Sequence, residues 1–425
     1  MEDTSGDTVY PGEDGIGKLP EDVLLNILSL LPTREAVRTS LVAQQWRHLW
    51  KWVPSLDFDG DFMGKSKNVA EFIDRKLRGD SCTLRRFVLH VKNGADWKLE
   101  YPDGFTPHFV TWVETAMKLQ TEILNLDVSG LPAFDVYDEI PSNKTIETLK
   151  LRLPMTSSLR FSSGFCRLTT LELGNVCFPP GKLPPDFFPN CRMLRYLELN
   201  AVSLCCSPLC ISSSSLRFLT IANCDLKENE MKVSAPSLVS FKWHFSDVPK
   251  TCVFDRFSAL AEAEVFWVEF LTEFLGEVED NGVMSQMLEG VSAVKTLSLR
   301  SSRYKHWLGL PVKYPGFRSP MFNLIHLNMS LARCICEENV SSVMQLLQNC
   351  PVLQKLVIEI ERWKSCWGKH SPPPEPLQSF TLGSLKEVEV KYYHGDESLR
   401  HWVRLLGSHL PFFSQMIVER TKLKR

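Results

Sequence analysis

The 425-residue chain has no apolar run of the roughly 18 residues needed to cross a bilayer as a helix, so a membrane span is not expected. Nor is there an excess of either charge. Lys and Arg number 48 against 50 Asp and Glu, and the formal net charge of −2 calls for neither nucleic acid nor an anionic surface as partner. The start, MEDTSGDTVYPGED, lacks the basic and apolar regions of a secretory signal, and residues 1–15 are expected to form a disordered acidic tail. The 13 cysteines are an odd number scattered from Cys82 to Cys366, and no C-x-x-C pair recurs at zinc-ligand spacing. This argues against a disulfide framework and for reduced thiols in the cytoplasm or nucleus. Sequons at Asn143, Asn328 and Asn339 would need a secretory route and are expected to be coincidental. No Ser-His-Asp, Cys-His or H-E-x-x-H constellation stands out among the ten histidines, so neither intrinsic catalysis nor a cofactor is expected.

One short motif invites a nucleotide reading. Gly12, Gly17 and Lys18 stand at the spacing of a phosphate-binding loop. Leu19 occupies the place of the magnesium-binding hydroxyl, however, and no apolar strand precedes the glycines. The motif is set aside.

The next thirty residues are helical in pattern. Pro20 suits a helix start, Glu21 and Asp22 favour the positive end of its dipole, and Leu24, Ile27, Leu28 and Leu31 recur at i, i+3, i+4, i+7 before Pro32 ends the run. A second helix is predicted over Arg34–Leu41, with Thr33 as N-cap and Ala36, Val37 and Leu41 turned inward. A third is predicted through QQWRHLWKW, where Trp46, Leu49 and Trp50 repeat the spacing. Three short helices cannot bury this much apolar surface among themselves, which leaves an excess for a partner.

Taken together, Leu19-Pro20, the Leu-rich helix, Leu31-Pro32, Val42, Trp46 and Leu49-Trp50 resemble a plant-type F-box. Ala43-Gln44-Gln45 stand where many such motifs carry a basic residue. The resemblance implies docking on the Skp adaptor of a cullin-RING ubiquitin ligase. By that resemblance the docking residues are Leu19, Pro20, Leu24, Ile27, Leu28, Leu31, Pro32, Val37, Leu41, Val42, Trp46, Leu49 and Trp50.

From residue 84 a phrase of the form φ-x-x-φ-x-φ (φ apolar) recurs: LRRFVL, TEILNL, IETLKL, LTTLEL, LRYLEL, LRFLTI, LVSFKW, AEVFWV, VKTLSL, LIHLNM, LQKLVI and LKEVEV, with a last copy in FSQMIV. Central anchors Leu124, Leu149, Leu171, Leu197, Leu219, Phe241 and Phe266 are 22 to 26 residues apart, the period of leucine-rich repeats. Later units are longer and carry helical stripes at Met284-Met287-Leu288-Val291, Val340-Val343-Met344-Leu347 and Leu399-Trp402-Val403-Leu406, read as core. The last 55 residues resemble the FBD region of plant F-box proteins, with the Pro-rich tract 371–376, a strand, a turn at Gly395-Asp396, a helix and a final strand. Such a terminal cap closes the open end of a solenoid.

The expected fold is α/β. A three-helix F-box at 16–58 is followed by a leucine-rich-repeat solenoid at 84–370, its parallel sheet on the concave face and helices and loops on the convex face, and by an FBD-like cap at 371–425. Between Arg256 and Lys295 there are eight acids and no Lys or Arg, whereas Arg300 to Cys336 holds no acid. These blocks either compensate each other across adjacent repeats or leave YKHWLGLPVKYPGF as a loop that offers Arg303, Tyr304, Lys305, Trp307, Lys313 and Tyr314 to an acidic target. Two function classes remain: the target receptor of a Skp-cullin-F-box ligase, and a repeat scaffold for protein interactions without ligase assembly. Adaptor binding separates them.

Overall fold

The computed structural model describes residues 19–41, 46–58, 66–78, 84–91, 106–131, 140–141, 143–205, 208–226, 229–246, 249–255, 257–267, 283–301, 320–333, 343–344, 346–363, 382–392, 400, 403–404, 406–407 and 415–420. The acidic tail, the Gly12–Lys18 motif, the Pro-rich tract and Gly395-Asp396 lie outside the described residues. The chain divides into two compact units, residues 1–134 with 143–154 and residues 135–142 with 155–425.

The first unit opens with α1, Glu21–Ser29, whose first turn bonds to the Pro20 carbonyl. It stops short of the expected Pro32. A residue before proline is pushed away from helical φ/ψ, so Leu30 and Leu31 close the helix with i to i−3 bonds to Ile27 and Leu28. The second helix, α2, is Thr33–Arg38, with Pro32 rather than Thr33 at its N-cap. Thr33 Oγ1 instead accepts the backbone N–H of Asp57 at 2.7 Å. The third predicted helix is, in its described part, a 3-10 turn at Leu49–Lys51. Pro54 disfavours helical φ/ψ at Val53, and a strand begins at Ser55 directly after it. Leu24, Leu28, Ala36, Trp46, Leu49 and Val53 pack into one core.

The sheet begins earlier than the repeated phrase predicts. Strand β1, Ser55–Phe58, pairs in parallel with β2, Arg86–His90, Leu56 opposite Phe87. Val53, Leu56 and Phe58 are all buried, making VPSLDF a further copy of the phrase that sits inside the expected F-box span. β3 (Ile123–Asp127) and β4 (Thr148–Ser158, its last residues in the second unit) continue the sheet, Leu124 facing Phe87 and Leu149. Two helices cross between strands. α3, Ser66–Leu77, buries Ala70, Ile73 and Leu77, and α4, Thr106–Lys118, buries Phe109, Trp112, Val113 and Ala116. They are joined where Trp112 Nε1 donates to Asp74 Oδ1 at 2.6 Å.

In the second unit one parallel sheet carries β5 (Thr170–Phe178), β6 (Tyr196–Asn200), β9 (Phe218–Ala222), β11 (Ser240–Phe245), β13 (Glu262–Trp267), β14 (Thr296–Ser301), β15 (His326–Arg333), β16 (Lys355–Trp363), β17 (Glu387–Tyr392) and β18 (Gln415–Arg420), in that order. A two-residue strand, β7 (Ser203–Leu204), pairs beside β5. The anchors Leu171, Leu197, Leu219 and Phe241 stand in one register row. The next member is Ala263, not the expected Phe266: Ala263 lies between Phe241 and Leu297, while Phe266 pairs with His244 and Arg300 on the open face. LAEAEV, with Leu260, Ala263 and Val265 buried, is the true phrase. Leu327, Leu356, Val388 and Met416 complete the row.

Two backbone devices recur with the phrase. Three residues before its first apolar side chain, a carbonyl closes a tight turn, as Cys191 does to Leu194, Phe257 to Leu260 and Cys350 to Leu353. The carbonyl ahead of many of the strands also accepts two successive N–H groups from the next repeat: Arg195 O from Arg217 and Phe218, Arg217 O from Val239 and Ser240, Ala261 O from Lys295 and Thr296. Pro54 O does the same for Arg85 and Arg86, which marks β1 as a member of the array.

The opposite layer departs from the expected helices and loops. β8 (Leu209–Ser212), β10 (Glu230–Ser234) and β12 (Thr251–Phe254) form a second parallel sheet. Their alternation buries Leu209, Ile211, Met231, Val233 and Cys252, and Phe254 packs on Phe241 and Trp243 of the main sheet with ring centroids 5.7 and 6.0 Å apart. A single helical turn, Phe187–Asn190, precedes these strands, and a longer helix follows at Val283–Gly290, with Met287, Leu288 and Val291 buried. Of the other two stripes, Val343, Met344, Leu347 and Leu406 are buried and Val403 is half-buried, while Val340, Leu399 and Trp402 lie outside the described residues.

Candidate functional site

The thirteen residues of the helical segment separate by burial. Leu24, Leu28, Trp46 and Leu49 are sealed in the core, where each contributes about 1.5–3 kcal/mol by leaving water. Leu31, Val37 and Trp50 line a shallow cleft with Phe72 and Lys76, and Trp50 stacks on Phe72 with centroids 5.7 Å apart. Leu19, Pro20, Ile27, Pro32 and Leu41 face outward, and Val42 lies outside the described residues. Leu41 is 86% exposed, contrary to its expected inward orientation, because α2 gives way after Arg38 to a 3-10 turn, Thr39–Leu41, that changes the angular step.

Three exposed apolar side chains are not among those the sequence motif singles out: Val23, Leu30 at 84% and Trp52 at 53%. At about 100° per residue Leu30 stands on the far side of α1 from the buried Leu24 and Leu28. The signal for it is the helical period itself, which leaves Leu30 off the Leu24-Ile27-Leu28-Leu31 stripe and on the outer side. Isolated exposed leucines are ordinary, but Val23, Ile27, Leu30, Leu41 and Trp52 all belong to one segment of about thirty residues, and that concentration calls for a cover.

On the open face of the second unit's sheet, charge gathers around Glu264. Its carboxylate lies 3.8 Å from Lys242 Nζ, 3.4 Å from His244 Nε2 and 3.8 Å from Arg300 Nη1. The Arg300 guanidinium also sits 4.9 Å from the Phe266 ring centroid, and that ring packs edge-on against His244. The Glu264 to Arg300 pair joins the acidic stretch to the basic one and so supports compensation between adjacent repeats at this point. The loop residues Arg303, Tyr304, Lys305, Trp307, Lys313 and Tyr314 lie outside the described residues. Farther along, Lys355 Nζ bridges Glu387 at 2.7 Å and Glu389 at 3.4 Å, and Lys391 reaches Glu389 at 3.1 Å. Among the described residues, no three His, Cys, Asp or Glu side chains are grouped to hold a metal ion.

Comparison with known proteins places these features. Residues 16–58 match the F-box domain. A provisionally named F-box/LRR-repeat protein of Arabidopsis thaliana is 25% identical over 423 residues, which covers 96% of this chain and 85% of the relative. An F-box/FBD/LRR-repeat protein of the same plant is 27% identical over 91% of this chain and 86% of its own length. An F-box/LRR-repeat protein, also from Arabidopsis thaliana, is 28% identical over 81% of this chain and 73% of its own.

Proposed function

For a chain that carries an F-box and is similar along most of its length to plant F-box/LRR-repeat and F-box/FBD/LRR-repeat proteins, we propose the role of target-recognition subunit in a Skp-cullin-F-box ubiquitin ligase. The chain is a protein-interaction adaptor, and the observation that carries the finer reading is the outward apolar set Ile27, Leu30, Leu41 and Trp52 mounted on a packed helical core. The Skp adaptor covers these side chains. Leu24, Leu28, Trp46 and Leu49 hold the helices beneath them and do not touch the adaptor.

Catalysis here is positioning. Linking a target to the scaffold of a ligase turns an encounter between target lysine and ubiquitin-conjugating enzyme into an effectively intramolecular one, at effective concentrations on the order of millimolar. The repeat array supplies the target-binding surface, in the cytoplasm or nucleus, and no chemistry of its own is required.

The test is co-purification of the full chain with a Skp adaptor, wild type against Leu30→Arg and Leu41→Arg. Loss of adaptor by variants that keep the wild-type circular dichroism and melting transition supports the reading. A folded wild type that takes up no adaptor overturns it and leaves the repeat scaffold without ligase assembly.

A further inference from the structure

A thiol on β5 faces one in the turn just past the end of β7. β5 and β7 pair in parallel with Cys177 opposite Ser203 and Phe178 opposite Leu204, and the next backbone N–H, that of Cys205, donates to Phe178 O at 3.2 Å. This alignment brings Cys177 Sγ to 3.4 Å from Cys205 Sγ. Both residues are half-buried. A disulfide needs about 2.0 Å, so the sulfurs have little distance to close and enough exposure for a small oxidant to reach them.

The other described cysteines are placed differently. Cys191, Cys224, Cys252 and Cys350 are buried, and desolvation pushes the Cys191 thiol up to about 11 and those of Cys224 and Cys350 up to about 12, with Cys252 moved in the same direction. They serve as small core residues: Cys191 Sγ accepts the Phe165 N–H at 3.3 Å, and Cys224 and Cys350 donate to backbone carbonyls. Cys166 and Cys210 are exposed, and Cys166 lies near the buried Cys191 thiol, which it helps to raise.

We propose that Cys177 and Cys205 are a reversible oxidation site, closed to a disulfide by a peroxide. One thiolate attacks the peroxide O–O bond, forming S–O and expelling hydroxide, which is protonated to water. The second thiolate attacks the sulfenic sulfur, forming S–S and releasing the S–O oxygen as a second hydroxide, also protonated. Two thiols and one hydrogen peroxide thus become one disulfide and two waters, and a thiol reductant restores the pair. The bridge fastens β7 to β5 and closes the intervening segment, which contains β6, into a covalent loop.

The experiment is hydrogen peroxide treatment of the purified full chain, followed by alkylation and non-reducing peptide mapping. The expected product is one cross-linked peptide pair carrying Cys177 and Cys205, formed before Cys191, Cys224, Cys252 or Cys350 is modified, reversed by dithiothreitol, and accompanied by a higher melting temperature. Cys177→Ser and Cys205→Ser each abolish it, while Cys206→Ser does not. Alkylation of both residues after treatment that has already oxidised Cys166 or Cys210 overturns the proposal. So does a bridge that survives Cys205→Ser or disappears in Cys206→Ser, and so does conversion of either residue to sulfinic acid without a cross-link.

Discussion

Thr33 Oγ1 accepts the Asp57 backbone N–H at 2.7 Å, so the first turn of α2 lies against the outer edge of β1. An edge strand carries unpaired backbone groups that invite pairing with another chain, and here a hydroxyl occupies one of them. Thr33→Val keeps the shape and removes the acceptor. It is expected to lower unfolding free energy by about 1–3 kcal/mol, the cost of leaving a partly buried donor unpaired, as read by urea titration. An unchanged midpoint would mean the contact contributes nothing.

Leu28 and Leu30 are expected to behave as opposites. Leu28→Ala opens a cavity in the helical core and costs about 2–5 kcal/mol. Leu30→Ala, at a side chain 84% exposed, stays within about 0.5 kcal/mol of wild type. Equal destabilisation of the two in thermal melts would contradict the burial pattern.

Ala263 and Phe266 test the repeat register. Ala263→Leu adds volume to a filled core and should cost about 1–3 kcal/mol. Phe266→Ala removes a half-buried ring and its contact with Arg300, the latter worth about 0.5–1 kcal/mol at such a site. Tolerance of Ala263→Leu would return the core position to Phe266.

Burial pushes the Glu389 carboxyl up, but Lys391 and Lys355 pull it down further, so it sits below its ordinary value of 4.5. A carboxylate with a depressed folded-state pKa contributes stability that is present above the unfolded value and lost as pH falls through the folded one. The stability advantage of wild type over Glu389→Gln should therefore be level above pH 4.5 and shrink below it, measured by melting temperature in a pH series. A difference that stays constant down the series would rule out this linkage.

If the Arg300–Cys336 stretch supplies target contacts, simultaneous charge reversal at Arg303, Lys305 and Lys313 lowers target capture and leaves adaptor binding unchanged. Pull-down of both partners from the same preparation checks it. Undiminished target capture assigns the charges to compensation alone.

Most of the repeat array is legible in the sequence because leucine fills its central positions and alternation marks each strand. The register slips where that position is Ala263, since a small residue is outweighed by the aromatic three positions later. VPSLDF is hard to separate because it comes after the tryptophans without a break and merges with the helical motif. LCIS, EMKVS and TCVF alternate as plainly as the main strands, yet they are short enough to pass for connections. At the helical site periodicity identifies the core residues and not the exposed ones. Leu30 falls on the far side of α1 by the helical period itself, though the period does not mark an outward leucine as needing a cover, whereas Leu41 faces outward because α2 gives way to a 3-10 turn just before it, a change the 3.6-residue period cannot register.

The Pro54 carbonyl, bonded to Arg85 and Arg86, gives the helical segment a mechanical character. The last turn of that segment runs into the first strand of the unit without a break. Val53 fills the helical core, and five residues later Phe58 fills the sheet's. A chain cut after residue 58 would strip β1 of its partner, and one cut before Ser55 would strip the sheet of its first strand. The segment behaves as a bracket rather than a tether: torque applied at α1 is transmitted to β2 through paired backbone, and grafting the helices onto another repeat protein would require carrying β1 and β2 with them.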